Sequence, residues 1–141
     1  MEEDGRSAPP EWVIEFFREI DTLEFGPGFA SFTDETEMHC GAGLVLGVEA
    51  IKAAFAQFAG PLETSHKVIE YWDHGRVKFL RGEAVMSMTN RPGAVVTMPF
   101  MHLYTMSDSD ATKVRTIRVT AGPLQLENFV DNVATALAAV C

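Results

Sequence analysis

The chain is poor in cysteine, in basic charge and in long apolar runs, and each shortage closes off a class of protein. Its 141 residues hold two cysteines, Cys40 and the terminal Cys141, too few for the disulfide framework of a small secreted scaffold or for a thiolate metal cluster. Reduced thiols are the expectation. Lys and Arg number 11 against 20 Asp and Glu, a net charge of −9, and no basic stripe interleaves with aromatics, so nucleic acid is not an expected partner. No run approaches the ~18 apolar residues of a membrane span. Met1 is followed by Glu2, Glu3 and Asp4 rather than by a basic and then an apolar leader. A soluble, cytoplasmic protein with no membrane partner is expected. A phosphate-binding loop is also missing, since Gly26-Pro27-Gly28 is not followed by Gly-Lys-Ser/Thr. No two histidines stand at the i, i+2 or i, i+4 spacing of local metal ligands. Neither a nucleotide cofactor nor a metal is expected.

What remains is an ordinary globular composition, 47% hydrophobic and 22% charged, at a length that fits one domain with one core. Residues 1–10 are polar and end in Pro9-Pro10, an extended or disordered lead-in; residues 11–141 form the domain. Trp12, Phe16 and Ile20, with Val13 and Phe17 beside them, repeat at helical spacing. A short second helix is expected near Phe25 to Phe32, and a strand near Thr36 to Gly41. A third helix follows, its face marked by Val48, Ile51, Ala54, Phe55 and Phe58 before Gly60-Pro61. The period then switches to two. Strands are expected at Ser65 to Trp72, Val77 to Thr89, Val95 to Met106 and Lys113 to Ala121, with a closing amphipathic helix over Leu126 to Val140. Helices first and a mostly antiparallel meander after predict an α+β domain. Both faces of the strand over Val95 to Met106 are apolar, which suits one face on the helices around a cavity and the other in a homodimer.

Three of the four histidines, His39, His66 and His102, lie in these strand-like runs. Period two places His102 with Met98, Phe100 and Tyr104, a setting for either a satisfied core ring or a working one. An imidazole with an ordinary pKa near ~6.5 both gives and takes a proton near neutrality. Glu83 shares a face with Arg81, Val85 and Ser87; it either pairs with Arg81 on a surface or, buried beside a histidine, becomes an acid or base. His39 keeps company with Glu37, opposite Met38 and Cys40. Arg118 either polarises a carbonyl or pairs with a surface acid. His74 sits in a turn, Asp73-His74-Gly75.

Several segments in this order resemble the SnoaL-like proteins of the nuclear-transport-factor-2-like superfamily, which includes polyketide cyclases, small fungal isomerases and scytalone dehydratase. The carriers are Phe16-Phe17-Arg18-Glu19-Ile20-Asp21, Phe32-Thr33-Asp34-Glu35, Gly47-Val48-Glu49-Ala50-Ile51, His66 with Glu70 and Trp72, Gly82-Glu83, Thr97-Met98-Pro99-Phe100 and Ile117-Arg118-Val119 before Pro123-Leu124. The resemblance implies a cone-shaped barrel, a curved sheet wrapped on three N-terminal helices around a hydrophobic pocket, here with an extra C-terminal helix. It implies that Asp21 and His66 are pocket residues, and that His102 stands where many relatives have asparagine. An aspartate that many relatives carry before the Pro-Leu pair is missing, the stretch reading Thr120-Ala121-Gly122. The implied activity is cofactor-independent isomerisation or cyclisation of a hydrophobic polyketide-derived or meroterpenoid metabolite. Scytalone-type dehydration and a non-catalytic ligand-binding or dimerisation module are the alternatives. On this reading His66, Asp21, Glu83 and His102 are catalytic, while His39, Tyr104, Phe100, Met98, Met86 and Arg118 bind the substrate.

Overall fold

Pro10 adopts an extended conformation (φ −67°, ψ 160°) at the entry to the first helix, α1 (Glu11–Thr22), because its ring fixes φ and the residue has no N–H to leave unpaired. The computed structural model describes residues 5–121, with only the backbone of Arg91 and Pro92. The helical spacing of the apolar residues buries Val13, Phe16, Phe17 and Ile20 on one face of α1. Within the described part of the lead-in, β1 (Arg6–Ser7) pairs with residues 71 and 72 of a long strand.

The helix expected near Phe25 to Phe32 is instead a single 3-10 turn, Pro27–Phe29. A charged residue organises it. Glu19 is buried in α1, and its carboxylate accepts the backbone N–H groups of Gly26 at 2.6 Å and Gly28 at 2.8 Å. Gly28 lies so close to α1 that a Cβ there would fall 2.6 Å from the backbone nitrogen of Phe16. The described residues therefore contain two α-helices rather than three: α1 and α2 (Val48–Ala59), the latter stopped at Gly60-Pro61 as the sequence implies. The expected closing helix over Leu126 to Val140 lies outside the described residues.

Seven strands make one sheet in the order β1-β4-β5-β6-β7-β2-β3, with β2 (Glu37–Cys40), β3 (Gly43–Leu46), β4 (Leu62–His74), β5 (Val77–Met88), β6 (Arg91–Met106) and β7 (Val114–Ala121). Every pairing is antiparallel except β2 with β7. Strand β3 was not expected; it is an edge hairpin with β2 whose Leu44 and Leu46 remain exposed.

Register decides which side chains face the helices. On the inner face His66, Ala84 and Met98 form one row, and Val68, Gly82, Phe100 and Ala121 the next. A β-bulge at Ile69, between Val68 and Glu70, then reverses the alternation of β4. Tyr71 is thereby buried, while Glu70 pairs with Arg81 on the outer face. Gly82 makes room for Phe100: a Cβ at position 82 would fall 2.6 Å from Cζ of that ring and 2.2 Å from the carbonyl oxygen of Lys67.

Two stability predictions follow. Glu19→Ala leaves the buried N–H of Gly28 and the part-buried N–H of Gly26 without their acceptor and should cost about 1–3 kcal/mol, read by urea unfolding. Gly82→Ala should destabilise through displacement of Phe100 and the β4 backbone, whereas Gly75→Ala, in an open turn (φ 68°), carries only the left-handed strain. Equal losses at the two glycines would contradict the close approach at Gly82.

Candidate active site

The last turn of α1 lies over the inner face of β4 and puts Asp21 beside Thr64 and His66, which share that face. Three donors converge on the carboxylate. Thr64 Oγ1 donates to Oδ1 at 2.7 Å, the His66 backbone N–H to Oδ2 at 2.9 Å, and His66 Nδ1 to Oδ1 at 2.5 Å. Partial burial pushes the Asp21 pKa up, but the hydrogen bonds from His66 and Thr64 and the charge of His66 outweigh it and hold the carboxyl below its usual 3.8. An ionised Asp21 can only accept, so Nδ1 of His66 carries the hydrogen, and in the neutral form of the ring Nε2 is a bare acceptor. Nε2 has no protein partner among the described residues, and His66 lines the cavity.

His102, on the inner face of β6, is buried. Burial and then the charge of His66 push its pKa down to about 3, so the ring is neutral. Its Nδ1 lies 3.1 Å from the hydroxyl of Tyr104, itself fully buried, and burial raises the Tyr104 pKa well above 10.0.

Two phenylalanines bring the imidazoles together. Phe17 stacks on His66 with ring centres 5.4 Å apart and lies 5.1 Å from His102; Phe100 lies 5.3 Å from His66 and 5.4 Å from His102. The cavity they border has a volume of about 50 Å³, and its other walls include Ile20, Phe55, Met38, Met86 and Met98. Among the described residues, no Lys, Arg, Asp or Glu side chain lines it.

Of the residues expected to act together, His66, His102, Met86, Met98 and Phe100 line this cavity, Asp21 stands behind His66, and Tyr104 behind His102. Three others lie elsewhere. Glu83 is exposed on the outer face, in register with Lys67 and Pro99, and Arg81 pairs with Glu70 rather than with it. His39 and Arg118 are neighbours across β2 and β7 on that same outer face, where His39 Nε2 meets Glu37 Oε1 at 3.2 Å. None of the three reaches the cavity, because each has the opposite parity to the inward residues of its strand. Cys40 is disulfide-bonded, which corrects the expectation of reduced thiols.

Sequence reasoning overlooked Thr64 and Phe17. Thr64 stands two residues before His66 and so on the same face, a readable signal; Phe17 looked like ordinary helix core. Among the described residues no three His, Cys, Asp or Glu side chains are grouped to hold a metal ion.

No protein-family model matches the chain, and no curated protein matches it. Solved structures do. A protein from Jannaschia sp. CCS1 named as a SnoaL-like polyketide cyclase is similar over 94% of this chain and 97% of its own, with a TM-score of 0.69 and 17% identity. TerC, co-crystallised with polyporic acid, is similar over 86% of this chain and 96% of its own, with a TM-score of 0.70 and 15% identity. An epoxide hydrolase of the LEH-like type from M. tuberculosis is similar over 92% and 83%, with a TM-score of 0.63 and 12% identity. At these identities the likeness speaks to architecture: the chain has the α+β fold of the SnoaL-like, nuclear-transport-factor-2-like proteins, with a curved seven-stranded sheet and two α-helices in the described residues.

Proposed function

We propose that the protein is a cofactor-independent isomerase or cyclase that moves a proton on an uncharged, hydrophobic ketone of polyketide or meroterpenoid type. The observation that carries this reading is the Asp21-oriented His66, whose bare Nε2 borders an apolar cavity. Nε2 would take a proton α to a carbonyl, the C–H electrons passing into a new C=C bond as the carbonyl oxygen gains the charge. The resulting imidazolium is stabilised by ionised Asp21 and can return the proton to another carbon. Expulsion of a β-hydroxyl as water instead would give the dehydratase, the second reading. No cation among the described residues lines the cavity, which favours a substrate without a carboxylate or phosphate on its buried part. Met38, Met86 and Met98 supply movable walls, suiting a ligand larger than the present space. Structural neighbours named as polyketide cyclases support the chemistry. The exposed Glu83, His39 and Arg118 have no part in the proposed proton transfer.

The test is a panel of polyketide-derived ketones incubated with the protein, with product mass read for isomerisation against loss of water. His66→Ala should lower turnover by about 10²- to 10⁴-fold with unchanged thermal unfolding; retained turnover removes His66 from the reaction. Asp21→Asn should also lower kcat, and its stability penalty should depend on pH. The fold depresses the Asp21 pKa, so the stabilisation is full above the unfolded value and is lost as pH falls through the folded one. The penalty relative to wild type should thus hold between about pH 7 and pH 5 and shrink below about pH 4, measured by urea unfolding.

The proposal includes a homodimer formed through the outer sheet face, where Val85, Val95 and Met101 are exposed. Light scattering should give twice the chain mass, and Val85→Asp with Met101→Asp should give the monomer; a monomeric wild type overturns this part.

A further inference from the structure

Tyr104 does not reach the cavity wall, so a direct contact with substrate is ruled out by its burial. Among the described residues its hydroxyl has one partner, Nδ1 of His102 at 3.1 Å, and the pair can be wired in two ways. If Nδ1–H donates to the hydroxyl oxygen, the tyrosine proton is sealed in the core with no acceptor, an arrangement folded proteins avoid. If the hydroxyl donates to a bare Nδ1, both groups are satisfied and the imidazole hydrogen resides on Nε2. That nitrogen has no partner among the described residues. Since among the described residues no buried side-chain nitrogen or oxygen lacks a partner, Nε2 opens onto the cavity that His102 lines.

We propose that Tyr104 is a positioning residue that holds His102 in its neutral Nε2–H tautomer, making His102 a fixed hydrogen-bond donor for the carbonyl or enolate oxygen of the substrate. The two imidazoles then have opposite characters, each set by what stands behind it. A carboxylate behind His66 puts the hydrogen on Nδ1 and leaves an acceptor at the cavity; a phenol behind His102 takes up Nδ1 and leaves a donor there. One accepts the proton from carbon while the other receives the charge that develops on oxygen. A neutral donor is suited to this in an apolar site, because it stabilises developing charge without first placing an unpaired charge in the core.

The surroundings of His102 keep it neutral across the physiological range. Phe16 and Phe17 cover it from α1, Leu80 and Val119 flank it in β5 and β7, Tyr104 meets it from its own strand, and the titratable group facing it from β4 is His66, whose charge disfavours a second one.

The role in catalysis rests on the proton-transfer reading above; the tautomer does not, and it is measured on the resting protein. In protein labelled with 15N-histidine, two-bond 15N–1H spectra should show His102 with a protonated Nε2 and an unprotonated Nδ1, unchanged between about pH 5 and 8. A protonated Nδ1, or conversion to imidazolium in that range, overturns the proposal. Tyr104→Phe should shift the 15N signals of His102 toward a mixture of tautomers; a tautomer unaltered in that variant would overturn the role of Tyr104. On any ketone the wild type turns over, His102→Ala should lower kcat by about 10²- to 10³-fold, and an unchanged kcat would remove His102 as the donor. A protein that turns over none of the ketones still yields the tautomer spectrum, so failure of the donor assignment and failure of the proposed function are separable.

Discussion

One carboxylate joins the helical layer to the sheet at the point where the chemistry is placed. Asp21 leaves the last turn of α1, where a negative charge is opposed by the helix dipole, and finds three donors on β4: a hydroxyl, a backbone N–H and an imidazole. The charge is compensated by the sheet rather than by its own helix. The same three bonds set the rotamer and tautomer of His66, so that docking of the helix and orientation of the imidazole are one event.

Around that point the cavity is built from elements that are individually unremarkable core. Phe17 comes from the face of α1 that also buries Val13 and Ile20, and Phe100 can lie against the sheet because position 82 carries no side chain. Their rings wall in both imidazoles and exclude water from all but a narrow space. Polar groups reach the cavity already paired on their far side, which is how a dry pocket retains hydrogen-bonding nitrogens without orphaned atoms.

Period-two reading of β6 located His102, Met98, Phe100 and Tyr104 on one face, and the family resemblance made Asp21 and His66 pocket residues; the structure brings these groups together. Three assignments went astray for a reason that the sequence itself contained. Met86 and Glu83 are three apart on one regular strand and cannot both face the cavity, and the same parity sets His39 against Cys40, and Arg118 against Val119. Other features had no local mark. Nothing in Val68-Ile69-Glu70-Tyr71 announces a bulge, Leu44 and Leu46 lie on an exposed edge that hydrophobic patterning reads as loop, and a buried glutamate on α1 looks like a solvent-facing charge until the glycines it binds are seen in place.

The bulge at Ile69 acts on β4 as a change of phase within a single strand. Before it, even-numbered residues serve the cavity; beyond it, the odd-numbered Tyr71 fills the core, and Glu70 and Trp72 move to the side where they meet Arg81 and Phe79. A deletion of one residue here would restore regular alternation while leaving Thr64 and His66 in register. Glu70 and Trp72 would stay on the outer side and Tyr71 in the core, because Ile69 is the residue that has no partner across β5; a regular strand that kept Ile69 is what would turn the glutamate and the indole toward the helices. The two halves of β4 are therefore separately mutable, the proximal half answering to the site and the distal half to packing, with one extra residue as the boundary between them.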